Sequence, residues 1–284
     1  MASARGSPIG VLDSGVGGLT VLRELLREVP GERFVYFGDT GNGPYGERSE
    51  REIQARVLAG TRFLLERDAK LIVVACNAAS ISALAALRAA FPQTPFVGTV
   101  PAVKTAAERT TTGVIGIVTT TACARSAYLG RLIAEYAHGV RVLAVGCPQL
   151  VMMVEAGTFD GPDAEAAVRG YVQPLLTAGS DALVLACTHF PVLRAVVERV
   201  VGPGVMVIDA GAAIARQTRR VLTARGLLAH PDQAPAPVPR APRPEDECWC
   251  TGDAERFTRV ASAILTVPLA ACHVPGMALP VVRA

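Results

Sequence analysis

Two apolar segments of this chain each end in a cysteine that is followed by a small polar residue. They are residues 71–77 (LIVVACN) and 182–188 (ALVLACT). A short apolar run bounded by polar residues is typical of a buried parallel strand, whose carboxyl end lies where open α/β sheets bind ligands. Cys76 and Cys187 are far apart in the chain, which suits matching positions in two similar domains. Two thiols at one cleft would suit proton transfer on both faces of a substrate.

The alternative interpretation of these thiols is packing, because a buried cysteine is often only a small apolar residue. Here Asn77 and Thr188 follow the two thiols, and His189 comes next in the second segment. A histidine, a carboxylate or a helix N-terminus beside a thiol can tune its pKa and make it a useful base. From the residues alone, both interpretations stay open.

A glycine-rich turn, residues 13–18 (DSGVGG), ends a predicted strand and opens a helix. Such turns direct free backbone N–H groups at an anion. A dinucleotide site, with Asp39 as the ribose-binding acid, is the competing interpretation. We disfavour it because Thr20 replaces the third glycine and Asp13 would place a negative charge beside the pyrophosphate. A ligand that carries both a carboxylate and an ammonium group fits the aspartate better.

Length and composition favour a compact protein with two modest domains: 284 residues, 50% of them hydrophobic and 19% charged. No apolar run reaches the roughly 18 residues of a membrane span, and the first residues contain no apolar signal core. Seven cysteines at scattered spacings argue against a disulfide framework. We therefore expect a cytoplasmic protein that neither crosses nor binds a membrane.

Net charge and motif spacing give little support to nucleic acid or metal as a partner. The net charge is only +3, and the arginines are scattered along the chain. A zinc site could be imagined from Cys248 and Cys250 with Cys272 and His273, but this spacing is not one of the usual zinc patterns. We expect no metal and no nucleic-acid partner.

Apolar runs typical of strands alternate with segments of helical periodicity along the chain. The predicted strands are 9–13, 34–37, 71–76, 114–118, 141–145, 182–187 and 205–209. The predicted helices are 19–29, one from near 49, 80–90, 127–136, 163–176, 190–200 and 254–265. This alternation predicts an α/β fold with two similar parallel-sheet domains, each covered by helices on both faces.

The predicted first domain is discontinuous and comprises residues 1–98 and 209–284, with 99–208 as the second domain. In this division, strands of the first domain both precede and follow the second domain along the chain. Residues 230–244 contain six prolines and few large apolar side chains, so we expect an exposed or partly disordered loop there.

The ordered set of motifs resembles the glutamate racemases, within the cofactor-independent aspartate/glutamate racemase superfamily. The matching segments are 10–22, Asp39 with 44–46 (PYG), 75–77 (ACN), 147–148 with 154–157, 187–191 (CTHFP), 208–209, and 251–253 followed by Phe257. They cover nearly the whole chain and leave out mainly the proline-rich segment. Each match is weak alone, and the ordered set is specific.

The resemblance implies two α/β domains related by pseudo-twofold symmetry, with glutamate in the cleft between them and no cofactor. It implies that Cys76 serves D-glutamate with support from Asp13. Cys187 then serves L-glutamate with support from Glu155 and His189. The substrate-binding residues that it implies are Asp13, Ser14, Tyr45, Gly46, Asn77, Ala78, Thr120, Thr188 and His189. The product would be D-glutamate for peptidoglycan, in cell-wall biogenesis and cell shape.

Several positions depart from the family's usual pattern. Ala78 replaces a threonine, Ala186 replaces a glycine, and Cys123 stands in a substrate-facing loop where threonine is common. Met152 and Met153 replace proline and leucine. These changes leave two alternatives open. One is a racemase of another acid, such as aspartate or a hydantoin-type substrate, and the other is a ligand-binding regulator without turnover. A homodimer is compatible with the sequence.

Overall fold

The computed structural model describes residues 4–273, so the end of the predicted first domain, residues 274–284, lies outside the described part. The chain divides into two compact units. Unit 1 comprises Met1–Thr99 and Gly211–Ala284, and unit 2 comprises Val100–Ala210. Each unit is a parallel sheet with helices between its strands, so the predicted α/β class with two parallel sheets is confirmed.

Unit 1 contains six strands and five α-helices among its described residues. The strands are β1 (Ile9–Asp13), β2 (Phe34–Gly38), β3 (Leu71–Val74), β4 (Phe96–Gly98), β9 (Glu247–Cys250) and β10 (Cys272–His273). The helices are α1 (Leu19–Glu28), α2 (Glu50–Leu65), α3 (Asn77–Ala90), α10 (Gly211–Ala224) and α11 (Ala254–Leu265), with a short 3-10 helix at Tyr45–Glu47.

The sheet of unit 1 has the order β10-β9-β2-β1-β3-β4, and all neighbouring strands are parallel. All five residues of β1 are buried, as expected for a central parallel strand. The chain runs from β1 to β2 on one side and then places β3 on the other side of β1. The carboxyl ends of β1 and β3 therefore flank the point where the strand order reverses, which is where such sheets bind ligands.

Unit 2 contains four strands and six α-helices. The strands are β5 (Val114–Thr119), β6 (Arg141–Gly146), β7 (Ala182–Leu185) and β8 (Met206–Asp209). The helices are α4 (Val103–Arg109), α5 (Thr121–Ala124), α6 (Ala127–Tyr136), α7 (Pro148–Ala156), α8 (Pro162–Thr177) and α9 (Arg194–Val201), with a 3-10 helix at Phe190–Leu193.

The sheet of unit 2 repeats the arrangement around β1, with the order β6-β5-β7-β8 and parallel neighbours throughout. Here the order reverses between β5 and β7. The residue before each cysteine makes the same backbone bond across this point. The Ala75 amide donates to Leu12 O at 2.7 Å in unit 1, and the Ala186 amide donates to Val118 O at 2.8 Å in unit 2. Cys76 and Cys187 thus occupy corresponding positions in the two sheets.

Two helices differ from their predicted bounds for identifiable reasons. Helix α3 begins at Asn77, three residues before the predicted start, because the Cys76 thiol caps its first turn. The predicted helix 190–200 is split, with 3-10 geometry before Arg194. The Phe190 amide bonds to Cys187 O and the Val192 amide to His189 O, so i to i−3 bonds tighten this turn.

The proline-rich segment 230–244 is irregular and largely exposed. Arg240 fastens it to unit 1, because its guanidinium donates to Pro30 O at 2.8 Å, to Glu32 O at 2.7 Å and to the Asp246 carboxylate at 2.6 Å. Within residues 4–273, no helix is both long enough and apolar enough to cross a membrane.

Candidate active site

The candidate site of unit 1 surrounds Cys76, which follows the carboxyl end of β3. Cys76 is the N-cap residue of α3, and its thiol accepts a hydrogen bond from the Ala79 amide at 3.5 Å. The same sulfur lies 3.5 Å from Ser14 Oγ, to which it donates. A helix N-terminus stabilises a thiolate, because its free amides and its dipole favour negative charge. The local fold therefore places this cysteine where it can act as an acid or a base.

Asp13 ends β1, the strand that pairs with β3, and is fully buried. Its Oδ2 accepts a hydrogen bond from the Gly15 amide at 2.9 Å, which shapes the turn that carries Ser14. A Cβ at Gly18 would lie only 2.7 Å from the Asp13 Cβ and 3.0 Å from the Ala75 Cβ. A glycine at position 18 is therefore required for the first turn of α1 to pack against Asp13.

The loop that contains Tyr45 and Gly46 lies over the same sheet edge. A Cβ at Gly43 would collide with the Ser14 carbonyl oxygen, so this loop approaches the β1 turn at backbone distance. The Tyr45 hydroxyl donates to Asp39 Oδ2 at 2.6 Å. Burial raises the pKa of Tyr45 well above its usual value, and the neighbouring Asp39 charge adds to this effect. The phenol therefore stays protonated and remains a donor.

The other predicted substrate-binding residues of unit 1 lie in the first turn of α3. Asn77 and Ala78 follow Cys76 directly and are 6% and 8% exposed. Ser14 is thus in hydrogen-bonding contact with Cys76, and Asp13 holds the turn that contains Ser14 through the Gly15 amide. Tyr45 joins them through its loop, and Asn77 and Ala78 join them through the cap of α3.

The candidate site of unit 2 is a hydrogen-bonded chain of three side chains at the carboxyl end of β7. His189 Nδ1 lies 3.6 Å from the Cys187 sulfur, and His189 Nε2 lies 2.7 Å from Glu155 Oε1. Cys187 and His189 are buried, with exposed fractions of 6% and 3%. Glu155 comes from the last turn of α7, so the imidazole is held between a sulfur and a carboxylate.

The charges on either side of His189 favour its protonated form. Burial by itself would lower the pKa of this imidazole, but the Cys187 sulfur and the Glu155 carboxylate outweigh burial and raise the pKa well above its usual value. An imidazolium beside the sulfur stabilises a thiolate electrostatically and can also return a proton to it. The arrangement can therefore carry out acid/base chemistry at Cys187.

Two further thiols of unit 2, Cys123 and Cys147, are buried near the end of the same sheet. Burial raises the pKa of Cys123, and it raises the pKa of Cys147 to about 12. Both therefore remain neutral thiols near neutral pH. Thr120 caps α5 by accepting from the Cys123 amide at 3.3 Å, and Thr188 directly follows Cys187. Cys187 is the cysteine of unit 2 whose sulfur contacts the His189 imidazole.

Among the side chains that the structure describes, no group of three or more His, Cys, Asp or Glu could hold a metal ion. The zinc alternative named four candidate ligands, of which Cys248 and Cys250 have described side chains. Cys248 and Cys250 are buried on β9, next to Trp249. The side chains of Cys272 and His273 lie outside the described part of the structure.

Sequence reasoning missed the part that Asp39 plays in unit 1. Asp39 lies directly after β2 and accepts hydrogen bonds from Asn42, Tyr45 and Thr251. Asp39 and Thr251 both lie in segments that match the glutamate racemases, and this match is the feature of the sequence that could have indicated a role for them. Nothing in the sequence indicates that residues so far apart in the chain share a hydrogen bond.

Comparison with known proteins shows the family to which the chain belongs. The family model described as Asp/Glu/Hydantoin racemase matches residues 9–218. A glutamate racemase of Roseiflexus sp. (strain RS-1) is 41% identical over 278 residues, which is 94% of this chain and 99% of that protein. The chain belongs to the Asp/Glu/Hydantoin racemase family and is an enzyme of the racemase class.

Solved structures are similar over almost the full length. The glutamate racemase of Escherichia coli, in complex with L-glutamate and the activator UDP-MurNAc-ala, has a TM-score of 0.79 and 33% identity, covering 94% of this chain and 97% of that one. The glutamate racemase of Francisella tularensis, in complex with D-glutamate, also has a TM-score of 0.79, with 26% identity over 95% of this chain and 98% of that one.

Proposed function

We propose that this enzyme is a glutamate racemase that interconverts L- and D-glutamate without a cofactor, using Cys76 and Cys187 as its two acid/base groups. The observation that carries the proposal is the corresponding placement of the two thiols. Each follows the strand beside the central strand of its unit, at the point where the strand order reverses. Each also has a neighbour suited to stabilising a thiolate, namely the N-terminus of α3 for Cys76 and the imidazole of His189 for Cys187.

The identity of the substrate is supported by the related enzymes. Full-length similarity connects this chain to glutamate racemases, and two of their structures contain L-glutamate and D-glutamate. Asp13 and Ser14 in unit 1, and Thr120 and Thr188 in unit 2, are the proposed contacts for the amino and carboxyl groups. In the cell, the D-glutamate would serve peptidoglycan synthesis.

In the proposed reaction of L-glutamate, the Cys187 thiolate removes the α-proton and becomes a thiol. The electron pair of the C–H bond stays on the α-carbon, and the Cys76 thiol then donates its proton to the opposite face. This step yields D-glutamate and a Cys76 thiolate, so no atoms or electrons are gained or lost. The reverse reaction begins at Cys76, and each thiol serves one enantiomer.

The supporting residues act on the charge of the sulfurs. The α-proton of an amino acid is very weakly acidic, so developing carbanion character must be stabilised by nearby positive charge and hydrogen-bond donors. The protonated His189, held by Glu155, supplies such charge next to Cys187. Asp13 and Ser14 fix the turn beside Cys76, where Ser14 can orient the thiol.

The test is circular dichroism of the purified enzyme with each enantiomer of glutamate and of aspartate. Loss of optical activity from both glutamate enantiomers, at equal final composition, would support the proposal. Ala78 and Cys123 are the observations that favour another acid, because both replace a hydroxyl-bearing residue. Racemisation of aspartate but not of glutamate would move the assignment to that substrate.

A further inference from the structure

Asp39 is a buried carboxylate that ties together three segments of unit 1. Its side chain is 5% exposed and follows the carboxyl end of β2. Oδ1 accepts from Asn42 Nδ2 at 2.8 Å and from Thr251 Oγ1 at 2.6 Å, and Oδ2 accepts from the Tyr45 hydroxyl at 2.6 Å. The Arg56 guanidinium lies 3.9 Å from Oδ2.

These contacts fix the loop that carries Tyr45 and Gly46. The Asn42 and Gly43 amides both donate to the Asp39 carbonyl oxygen, at 3.0 and 2.8 Å. The turn after β9 is bound to the same loop, because the Gly41 amide donates to Thr251 Oγ1 at 3.0 Å. The loop therefore depends on Asp39 through both its backbone and its side chain.

We infer that Asp39 is a positioning residue for substrate binding, which acts through Tyr45 and Thr251 without contacting glutamate itself. This inference rests on the proposed function, since it takes the segment 45–46 as part of the glutamate site. The network needs two acceptor oxygens at this position, because Oδ1 and Oδ2 accept from an amide and two hydroxyl groups and Oδ2 also faces a guanidinium. An amide at this position would present an N–H group to the Tyr45 hydroxyl and would lose the charge that faces Arg56.

Asp246 provides a matched control in the same unit. Its side chain is also 5% exposed, and it accepts from the Phe34 and Arg243 amides at 2.9 and 2.7 Å and from the Arg240 guanidinium. It lies beside the amino end of β2, whereas Asp39 lies after the carboxyl end. Asp246→Asn should therefore destabilise unit 1 without changing the Tyr45 loop.

The experiment measures KM and kcat for both glutamate enantiomers in these two variants. Asp39→Asn should raise KM about tenfold or more, with a smaller change in kcat, because a charge-assisted network that orders the binding loop is lost. Asp246→Asn should lower Tm but leave KM within about twofold. Thr251→Ser should keep the wild-type KM, and Thr251→Val should raise it.

A double-variant cycle separates positioning through Tyr45 from general destabilisation. If Asp39 acts through Tyr45, adding Tyr45→Phe to Asp39→Asn should raise KM by less than Tyr45→Phe does alone. If the effects of Asp39→Asn and Tyr45→Phe on KM were independent and additive, Asp39 would not act through Tyr45. A lowered Tm with unchanged KM in Asp39→Asn would show a purely structural role and overturn the inference.

Hydrogen–deuterium exchange of residues 40–48 tests the same inference without activity. Exchange should be faster in Asp39→Asn than in wild type and unchanged in Asp246→Asn. If the wild-type enzyme does not racemise glutamate, the proposed function fails, while the exchange data still decide whether Asp39 orders the loop. Equal exchange in wild type and Asp39→Asn would overturn the inference even for an active racemase.

Discussion

The two thiols are supported by different residues, although they occupy corresponding positions in the two sheets. Cys76 depends on the N-terminus of α3 and on Ser14. Cys187 depends on an imidazole that is itself held by Glu155. A helix terminus is a fixed partial charge, whereas an imidazolium can lose its proton. The two directions of the reaction should therefore differ in their dependence on pH.

Replacing either thiol should abolish racemisation, since one base cannot complete an inversion. We expect Cys76→Ala and Cys187→Ala to lose racemase activity in the circular dichroism assay. Each variant should still exchange the α-proton of one enantiomer with deuterated solvent, which NMR can follow. Cys248→Ala, at a buried thiol on β9, is the control and should remain active. Near wild-type racemisation by both single variants would refute the two-thiol mechanism.

Glu155→Gln should lower the pKa of His189, because the neutral amide no longer favours the imidazolium and burial opposes it. In the wild-type enzyme, the raised pKa of His189 in the folded state contributes to stability. This contribution is complete below the pKa of about 6.5 that His189 has in the unfolded chain, and it is lost as pH rises through the folded-state pKa. The variant should be less stable by about 1–3 kcal/mol at pH 6, and by less at high pH.

Denaturant unfolding across pH and NMR titration of His189 check this prediction. Glu198→Gln is the control, because Glu198 forms an exposed ion pair with Arg194. Surface pairs of this kind contribute little to stability. A stability difference for Glu155→Gln that grows with rising pH would contradict the assignment of His189 as protonated.

Ala78→Thr should improve kcat/KM for glutamate by roughly two- to tenfold, if the added hydroxyl bonds to the substrate. One such hydrogen bond contributes about 0.5–1.5 kcal/mol, and each 1.4 kcal/mol is about tenfold. Ala78 is only 8% exposed, so thermal unfolding must show that the larger side chain is tolerated. A folded variant that loses glutamate activity, or that gains activity only on another acid, would point to a pocket built for a different substrate.

At the scale of elements, Asp181 ties the loop before β5 to the start of β7. Its carboxylate accepts from Thr110 Oγ1 at 2.5 Å, from the Thr111 amide and hydroxyl at 2.6 and 2.7 Å, and from the Thr112 amide at 3.0 Å. Burial opposes ionisation, but these donors outweigh it and hold the pKa of Asp181 below its usual value. The loop is therefore bound by an ionised side chain.

Asp181→Asn should lower the free energy of unfolding at neutral pH by about 1–3 kcal/mol, since several donors lose a charged acceptor. The stabilisation by a carboxylate of lowered pKa is complete above its unfolded pKa of about 3.9 and disappears as pH falls through the folded pKa. Wild type and variant should therefore converge in acid. Urea unfolding between pH 3 and 8 measures this, and a constant difference would contradict it.

At the scale of the whole molecule, we expect activity without pyridoxal phosphate or metal. Neither lysine lies at the carboxyl edge of a sheet. Lys70 is paired with Glu32 at 2.5 Å and donates to Arg5 O, at the amino end of β3. Lys104 lies on α4 and pairs with Glu108. Activity that dialysis against a chelator removes, and that only pyridoxal phosphate or a metal restores, would refute this expectation.

Local patterns in the sequence were sufficient to predict the α/β class and the starts of the two cysteine strands, although these strands end at Val74 and Leu185, two residues earlier than predicted. Apolar runs predicted the strands and helical periodicity predicted the helices. The caps that Ser49 and Ser126 form at the starts of α2 and α6 are seen only in the structure. Helix α10 was not predicted, because no predicted strand follows residue 209 to indicate a further strand–helix unit. The bond between Asp39 and Thr251 could not be predicted, because it depends on the pairing of β2 with β9, which are distant in sequence.

The discontinuity of unit 1 has a consequence during synthesis on the ribosome. Strand β2 pairs with β9, which is translated about two hundred residues later, at roughly 5–20 residues per second. During synthesis, the edge of β2 that pairs with β9 therefore remains unpaired for roughly 10–40 s. Unit 2 is one continuous stretch and can fold as soon as its last strand emerges. The nascent chain should thus complete its inserted unit before the unit into which it is inserted.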